Sequence, residues 1–432
     1  MNNRSFWNYS SLCEAVDICD SLRKPVNSKE RVSRITGKTQ SELYPYYGAT
    51  GQVGWIDDYI TDGEFVLLGE DGAPFLDAFS EKAYIISGKT WVNNHAHVLK
   101  SKTSNKFLCY YLNSFNFKGY VSGTTRLKLT QAEMKRIPVP VPSLPEQERI
   151  VARIEELFSQ LDAGVETLKK TKAQLAVYRQ AVLKEAFEGR LTADWRKTNN
   201  SDINRILSEI NGAKEDKRKS RQYHLEYEMP LANLPSGWKW VFIGDISKGP
   251  EYGTSQKSLK AGKVPVVRMG NLQNGEIVWD DLAFSNDDEE IEKYRLIKGD
   301  VLFNRTNSPE LVGKTAIYRG EREAIFAGYL IRVNQLDCIN PLYLTYYLNS
   351  FTAKNYGNKV KTDGVNQSNI NGTKLCTYPF PLCSSEEQAQ VVYELESRLS
   401  VCDSIEKTVD TALQQAEAMR QSILKKAFEG KL

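Results

Sequence analysis

Positions that are apolar with few interruptions recur at alternating steps of four and three along two long stretches of the chain. In residues 143–191 they are Ile150, Ile154, Leu157, Leu161, Gly164, Leu168, Thr171, Leu175, Tyr178 and Val182. In residues 384–432 they are Val391, Leu395, Arg398, Cys402, Ile405, Val409, Ala412, Ala416, Met419 and Ile423. This spacing predicts helices that pack along a coiled-coil seam. About 44 helical residues at about 1.5 Å each predict a rod of about 65 Å.

The two stretches are copies of each other. Adding 241 to each number aligns residues 143–191 with 384–432 without a gap, and 18 of the 49 positions are identical. Each copy starts with the Ser-x-x-Glu spacing of a capping box and ends at a glycine placed for a left-handed C-cap, namely Ser143, Glu146 and Gly189, then Ser384, Glu387 and Gly430. Two matched seams favour helices that pack on each other. The alternative is two unrelated amphipathic helices, each on its own core.

Short strands and tight turns precede each long helix. Clustered Gly, Asp and Asn separate β-branched and aromatic runs in residues 1–142, and residues 234–383 repeat this frame loosely, as FLCYYLNSF and YLTYYLNSF illustrate. The segment at 23–40 is polar and basic, which predicts an exposed loop. We therefore predict five segments: a mixed α/β domain at 1–142, a long helix at 143–196, a polar linker with a short helix at 197–233, a second mixed α/β domain at 234–383, and a long helix at 384–432.

The order domain, helix, domain, helix predicts an α+β fold with pseudo-two-fold symmetry. If the long helices form an antiparallel coiled coil, the domains that feed them lie at opposite ends of the rod. Such a molecule spans a fixed distance between two binding surfaces. Duplex DNA, whose strands are related by a two-fold axis, is a natural target. The loops of the two domains differ, so the two half-sites should differ in sequence.

Composition narrows the class of protein without identifying it. A net charge of +3 permits nucleic-acid binding only through a local basic surface or a partner. The seven cysteines have no Cys-x-x-Cys pair, which favours reduced thiols in the cytoplasm. No apolar run approaches the roughly 20 residues that span a bilayer. The first residues lack the basic and apolar regions of a signal peptide.

Several motifs carry a resemblance to a known family. They are YPYYGATGQVG and GEFVLLGEDG in the first half, FNRTNSPELVGKTAIY in the second, and the PEQERIV/EEQAQVV and KEAFEGRL/KKAFEGKL pairs in the long helices. The chain resembles the DNA specificity subunit of type I restriction–modification enzymes over its whole length. The resemblance implies two target recognition domains that each read half of a bipartite, asymmetric DNA site. It also implies that the coiled coil acts as spacer and docks two modification (adenine methyltransferase) subunits.

The same resemblance implies a non-catalytic subunit. Restriction subunits, with ATP-driven translocase and nuclease activity, would join the core. The chain would need no cofactor, and S-adenosylmethionine, ATP and Mg²⁺ are expected on the partner subunits. The residues agree, because the sequence has no NPPY or DPPY tetrapeptide, no glycine-rich S-adenosylmethionine loop and no Walker A loop. His95 and His97 lack a third metal ligand nearby, and Glu215-Asp216-Lys217 sits in a charged linker, so we predict neither a metal site nor a nuclease site.

Candidate DNA-binding residues are hydrogen-bond donors and basic side chains on the predicted loops. In the first domain they are Tyr46, Tyr47, Thr50, Gln52, Thr125, Arg126 and Lys128. In the second domain they are Arg268, Asn271, Asn304, Arg305, Asn307, Lys314, Asn366, Gln367 and Asn369. Any of them can instead be a turn former, and the two tyrosines also fit the strand frame. Phe187 and Phe428 are matched candidate anchors for two copies of one partner, or else they cap the coiled coil internally.

Two other functions remain open at this point. One is a nuclease or methyltransferase with an unrecognised site, for which activity of the isolated chain would be the sign. The other is a non-catalytic protein-binding coiled-coil scaffold without DNA specificity. Salt dependence separates the scaffold from a DNA reader, because DNA contacts release counterions and weaken steeply as salt rises.

Overall fold

The computed structural model of the protein describes residues 7–199, 202–215, 222–365 and 367–432. The chain forms two compact units: a first unit of residues 1–171 with 407–432, and a second unit of residues 172–406. Each long helix therefore contributes one segment to each unit. The candidate Asn366 and most of the basic run at 214–221 lie outside the described residues.

Short elements form the first unit beside its share of the long helices. The strands are Tyr9–Ser11, Val16–Ile18, Tyr44–Gly48, Gly51–Ile56, Thr61–Asp62, Phe65–Gly69, Ala83–Ile86, Lys89–Val92, Ala96–Ser101 and Pro138–Pro140. The α-helices are Leu12–Ala15, Ser28–Ile35, Asn105–Ser114 and Gln131–Lys135, and the 3-10 turns are Asp20–Leu22 and Gln40–Glu42. The unit is mixed α/β, as predicted.

Two four-stranded sheets and one strand pair organise the first unit. One sheet is antiparallel in the order 16–18, 96–101, 65–69, 83–86, and its inner strand Phe65–Gly69 is buried along its whole length. The other sheet has the order 51–56, 44–48, 89–92, 61–62, with one parallel pair in its centre. The proline-rich strand Pro138–Pro140 pairs only with Tyr9–Ser11, because proline cannot donate to a second neighbour.

The second unit has more strands than the first, and like the first it has a short α-helix just before its final strand. Its strands are Lys239–Phe242, Glu251–Tyr252, Val264–Val267, Leu272–Gln273, Glu276–Ile277, Ala283–Ser285, Val301–Asn304, Thr306–Asn307, Thr315–Ile317, Ile325–Phe326, Leu330–Arg332, Thr362–Asp363, Ser368–Asn369 and Pro379–Leu382. Its α-helices are Ala193–Thr198, Ile203–Glu215, Asp288–Tyr294, Pro341–Leu348, Phe351–Val360 and Gly372–Cys376, and its 3-10 turns are Ile243–Asp245 and Met269–Asn271. The main sheet has six strands, in the order 251–252, 330–332, 301–304, 315–317, 276–277, 272–273.

The two long helices have equal lengths of 44 residues, Leu144–Phe187 and Ser385–Phe428. Gly189 and Gly430 end them with φ angles of 72° and 70°, the left-handed geometry predicted for the C-caps. Within the first unit, Asp162 pairs with Arg420. Within the second unit, Arg179 lies 2.6 Å from Asp403. A second contact in each unit, Arg149 with the Leu432 carbonyl and Lys172 with Glu406, shows that residue numbers rise along one helix segment as they fall along the other. In each unit the segments therefore run antiparallel, as the sequence predicts.

The seam between the helix segments is less buried than the heptad pattern predicts. Tyr178, Ile405 and Met419 occupy predicted seam positions, yet they are 47%, 40% and 53% exposed. The buried contacts concentrate where a domain covers the helix pair. At those places the domain forms a third layer, which supplies apolar surface that the two helices alone do not provide.

One segment differs from its predicted conformation, and the predicted linker has its expected helix but packs it into a core. The basic segment at 23–40 is not only a loop, because Ser28–Ile35 forms a helix whose N-cap, Asn27, accepts a hydrogen bond from the Glu30 amide at 2.9 Å. In the predicted linker, helix Ile203–Glu215 buries Ile206 and Ile210 in the second unit's core. Among the described residues, no helix is long and apolar enough to cross a membrane.

Candidate DNA interface

An open groove of about 650 Å³ lies on the first unit where four loops meet. The hairpin at 48–53 and the loop at 125–127 line it together with residues 71–73 and the turn at 93–95. Predicted candidates Thr50, Thr125 and Arg126 thus share one concave surface although some 75 residues separate them along the chain. Loops held by a rigid sheet are the usual position for ligand-contacting side chains.

Two carboxylates hold the basic side chains of this groove. Arg126 Nε lies 2.7 Å from Asp71 Oδ1, and Lys128 Nζ lies 3.4 Å from Glu70 Oε1. Both basic side chains are more than half exposed, so these ion pairs are weak and can be exchanged for DNA phosphates or base edges. The GEDG turn therefore orients the candidates Arg126 and Lys128. The sequence shows that turn, but not its partners.

The remaining first-unit candidates either belong to the strand framework or lie exposed at the surface. Tyr46 is only 4% exposed, and its hydroxyl lies 3.3 Å from both the amide and the carbonyl of Val26, so we correct its assignment to the frame. Tyr47 is half-buried, with its ring 5.8 Å from that of Tyr84. Gln52 is exposed and donates to the Gly54 carbonyl at 3.1 Å, which leaves its amide near the groove rim.

A buried polar network supports the groove from below. Asp20 Oδ2 lies 2.8 Å from His97 Nδ1, and Asp20 also accepts from the Val98 amide at 2.9 Å and from Gln131 at 2.9 Å. Burial alone would raise the pKa of Asp20. The hydrogen bond and charge of His97, with those two donors, instead lower the pKa to about 2. His97 is thus a structural residue, and its Nε2 lies 3.1 Å from the Leu129 carbonyl oxygen.

Replacing Asp20 with asparagine should destabilise the first unit in a pH-dependent way. The folded-state pKa of Asp20 lies below its ordinary value of 3.8, so the ionised group stabilises the fold above about pH 4. This stability is lost as the pH falls from about 4 to about 2. We expect Asp20→Asn to lower the free energy of unfolding by about 2 kcal/mol at pH 7 and by clearly less at pH 3. Urea unfolding at both pH values measures this, and an equal loss at the two would contradict the assigned ionisation.

Helix Ser28–Ile35 adds basic groups that the candidate set omits. Arg31 stacks over the Tyr46 ring at 5.1 Å and donates to the Val53 carbonyl at 2.8 Å, beside a second hollow lined by residues 25–31 and 93–95. The sequence signal was present, since residues 23–40 contain six basic residues and one acidic residue. What it lacked was the helix that places Arg31 beside this second hollow.

In the second unit, candidates from two distant segments meet. Strand Thr306–Asn307 pairs with Ser368–Asn369, which also pairs with Thr362–Asp363. Asn369 donates to the Thr306 hydroxyl at 2.7 Å, and the Ile370 amide donates to the Arg305 carbonyl at 2.8 Å. Candidate Gln367 is exposed at the turn of this small sheet. The loops that follow residues 304 and 361 therefore form one surface.

Two polar atoms beside this surface have no hydrogen-bond partner. They are Asn304 Nδ2 and Arg305 Nε, both buried within the described structure. The Arg305 guanidinium stacks on the ring of Tyr252 at 4.8 Å, a residue that the sequence did not single out. Asn304 is fully buried and its Oδ1 accepts from the Thr306 amide at 3.3 Å, so we correct this candidate to the frame, whereas Arg305 is only half-buried and stays a candidate.

The side chains of the other second-unit candidates form hydrogen bonds or ion pairs with residues of the protein itself. Asn271 is buried, and its side chain donates to the carbonyls of Val278 and Asp280, so we correct it to a turn former. Asn307 accepts from the Ser308 amide, Arg268 pairs with Asp281 at 3.1 Å, and Lys314 donates to Gln273 at 3.0 Å. Of these, Arg268 and Lys314 keep charged groups that are partly exposed.

Phe187 and Phe428 are interior residues, which corrects their assignment as partner anchors. Phe428 is 8% exposed and lies 5.3 Å from the rings of Phe107 and Tyr111 in the first unit. Phe187 is 3% exposed and lies 5.2 Å from the rings of Tyr343 and Tyr347 in the second unit. The KEAFEG/KKAFEG motif thus packs the end of each long helix against the domain of the same unit.

Each unit is therefore a mixed α/β domain fastened to one half of a duplicated helix pair, with its own set of loops. These features define a class of proteins built from two copies of one domain-and-helix module. The chain belongs to the family of the type I restriction modification DNA specificity domain, whose family model matches residues 13–176 and again 235–415.

Individual relatives agree with this assignment. The chain is 25% identical over 434 residues to a specificity subunit ascribed to a type I restriction enzyme of Haemophilus influenzae, with 96% of each chain covered. It is 28% identical to the specificity subunit of the EcoKI type I restriction enzyme of Escherichia coli, over 76% of this chain and 65% of that one. A chain from a solved structure of a type I restriction–modification system has the same fold, with a TM-score of 0.66 at 16% identity, covering 99% of this chain and 98% of that one.

Proposed function

We propose that this chain is the specificity subunit of a type I restriction–modification complex, a non-catalytic subunit that reads a bipartite, asymmetric DNA site. One recognition domain, at 1–142, reads one half-site, and the other, at 234–383, reads the second. The long helices dock two adenine methyltransferase subunits, and restriction subunits join that core. S-adenosylmethionine, ATP and Mg²⁺ belong to these partners. The complex works in the cytoplasm.

The observation that carries this proposal is a shared frame with unlike loops. The family match occurs twice, and in both units the helix that carries Tyr111 or Tyr347 packs against the phenylalanine at the end of a long helix. The candidate surfaces differ completely. One is a groove rimmed by Arg126 and Lys128, and the other is a small sheet beside Arg305 and Tyr252. Two domains that are attached to the helices in the same way but carry different loop surfaces fit an asymmetric, bipartite DNA target.

Within these surfaces we propose specific roles. Arg305 reads a base edge, since a guanidinium pairs with guanine through two hydrogen bonds, and Asn369 and Gln367 suit adenine or phosphate. In the first domain, Thr50, Thr125 and Arg126 line the groove, and the exposed Lys128 follows on the same segment. The alternative is a protein scaffold without DNA specificity. That function does not require two different loop surfaces that both carry basic side chains and amides.

The test is methylome sequencing of cells that carry this chain with its cognate methyltransferase. We expect one bipartite motif with a methylated adenine in each half. The absence of any motif, with the same methyltransferase active on another target through another specificity subunit, would favour the scaffold. Purified complex adds a second measure, because binding should weaken steeply as salt rises.

Arg305→Ala should relax recognition in one half-site only. We expect a loss of about 1–3 kcal/mol of discrimination at one or two base pairs read by the second domain, with the first half-site unchanged. Arg322→Ala is the matched control, since Arg322 also stacks on an aromatic ring, that of Trp279 at 5.0 Å, and neither residue belongs to the strand pair that follows Arg305. Methylation at degenerate sites measures the effect. Loss of both half-sites would indicate misfolding and contradict a reading role.

A further inference from the structure

Each unit has a pocket at the junction of its domain and its helix pair, and the two pockets correspond by the internal repeat. The first-unit pocket has a volume of about 520 Å³ and the second-unit pocket about 310 Å³. The second long helix lines the first with Arg420, Gln421 and Leu424, and the first long helix lines the second with Arg179, Gln180 and Leu183. These residues are 241 positions apart and identical in type.

The domain side of the two pockets corresponds as well. Tyr110 and Asn113 line the first-unit pocket, and Tyr346 and Asn349 line the second, from equivalent places in FLCYYLNSF and YLTYYLNSF. A tyrosine, an asparagine, an arginine, a glutamine and a leucine therefore recur in the same arrangement. The neighbouring loops share no such identity.

The fold accounts for three of these five residue types. Asn113 bonds the backbone of Ala83, and Asn349 bonds that of Thr315, so each clasps a neighbouring strand. The two arginines form the ion pairs with Asp162 and Asp403 described above. Leu183 and Leu424 are buried in the cores.

The tyrosine rings pack on the cores, with Tyr110 5.8 Å from Phe158, but the tyrosine hydroxyl and the glutamine amide have no such explanation. The side-chain amides of Gln180 and Gln421 are half-buried and form no hydrogen bond with the described residues, and the hydroxyls of Tyr110 and Tyr346 form none either. Burial raises the pKa of Tyr110, and it raises that of Tyr346 to about 12, so both hydroxyls keep their protons near pH 7. Each pocket thus offers one phenol hydroxyl and one carboxamide that form no hydrogen bond within the described part of the chain.

We propose that the two pockets bind the same peptide segment of two identical methyltransferase subunits, one per pocket. The inference rests on the proposed function, which calls for two copies of one partner. A carboxamide pairs with a backbone peptide group through one donor and one acceptor, and the phenol adds a further hydrogen bond. Two pockets with the same two open groups fit two copies of one ligand.

The charge of the first-unit pocket argues against nucleic acid as the occupant. Glu81, Glu155 and Asp162 line it, with Arg420 as the single basic lining residue. The second-unit pocket is instead basic, with Lys314 and Lys354 at its rim. A phosphate backbone would suit only one pocket, whereas a peptide group, which is neutral, suits the groups that both share.

Stoichiometry of the full-length chain with its cognate methyltransferase subunit tests this proposal. By native mass spectrometry and sedimentation, the wild-type chain should bind two copies. Gln180→Ala and Gln421→Ala should each weaken one of the two binding steps about tenfold, and the double variant should weaken both. Gln174→Ala and Gln415→Ala are matched controls, since these residues are identical, also 241 apart, exposed, and outside both pockets. The controls should bind two copies with wild-type affinity.

The substitutions should leave the fold intact, because the removed amides have no internal partner and alanine favours helix. Unchanged melting temperatures check this. A double variant that still binds two copies with wild-type affinity would overturn the inference while the proposed function stands. Normal methyltransferase binding with weakened DNA affinity would also overturn it, in favour of DNA in the pockets. A wild-type chain that binds no methyltransferase would overturn the proposed function itself.

Discussion

Alanine at Phe187 is expected to lower the free energy of unfolding of the second unit by about 3–5 kcal/mol, the usual cost of removing a buried aromatic ring. Phe187 is 3% exposed, and its edge-to-face contacts with Tyr343 and Tyr347 join the end of a long helix to the domain. The cavity left by the ring lies in a close-packed core that cannot collapse onto it. Urea unfolding, followed by far-ultraviolet circular dichroism, measures the loss.

The internal repeat supplies the comparison for this variant. Phe428→Ala should cost a similar amount, but in the first unit, where Phe428 contacts Phe107 and Tyr111. Val177→Ala on the same helix as Phe187 is the control, because Val177 is exposed and alanine favours helix. If Phe187→Ala kept wild-type stability and lost methyltransferase binding, the ring would be a partner anchor after all.

Alanine at Arg196 should destabilise the second unit by a comparable amount, about 3–5 kcal/mol, because it strips the main counter-ion from a buried carboxylate. Glu387 is fully buried at the start of the second long helix, and its Oε1 lies 2.6 Å from Arg196 Nη2. It also accepts from the Thr192 hydroxyl at 2.7 Å. The Arg196 guanidinium further donates to the carbonyl of Gly189, so it joins the end of one long helix to the start of the other.

A second substitution separates lost charge pairing from lost packing. Glu387→Gln in the Arg196→Ala background removes the uncompensated charge, so it should recover a substantial part of the lost stability. Equilibrium unfolding of the two single variants and the double variant measures the coupling. If the double variant were no more stable than Arg196→Ala alone, the loss would arise from packing of the arginine against Trp238, which lies 5.6 Å from the guanidinium.

Part of the candidate site was predictable because donors and basic groups in loops are visible in a sequence. Arg126, Lys128 and Arg305 lie on loop surfaces, as expected. Their partners were not predictable, since Asp71 and Tyr252 come to them only through strand pairing. Asn271 shows the opposite case, in which an amide that suits adenine also suits the backbone of its own turn.

The sequence by itself determined the two long helices, their glycine C-caps and the duplication of the chain, although the first helix ends at Phe187 and not at residue 196. These features depend on periodicity, capping residues and identity between copies, which are local or directly countable. Only the tertiary structure decided that Phe187 and Phe428 are interior, that Tyr178 and Ile405 are exposed at the seam, and that residues 304–308 meet residues 362–370. The physical reason is that burial and strand pairing depend on residues far apart in the chain. A heptad pattern shows which side of a helix is apolar, but not what covers it.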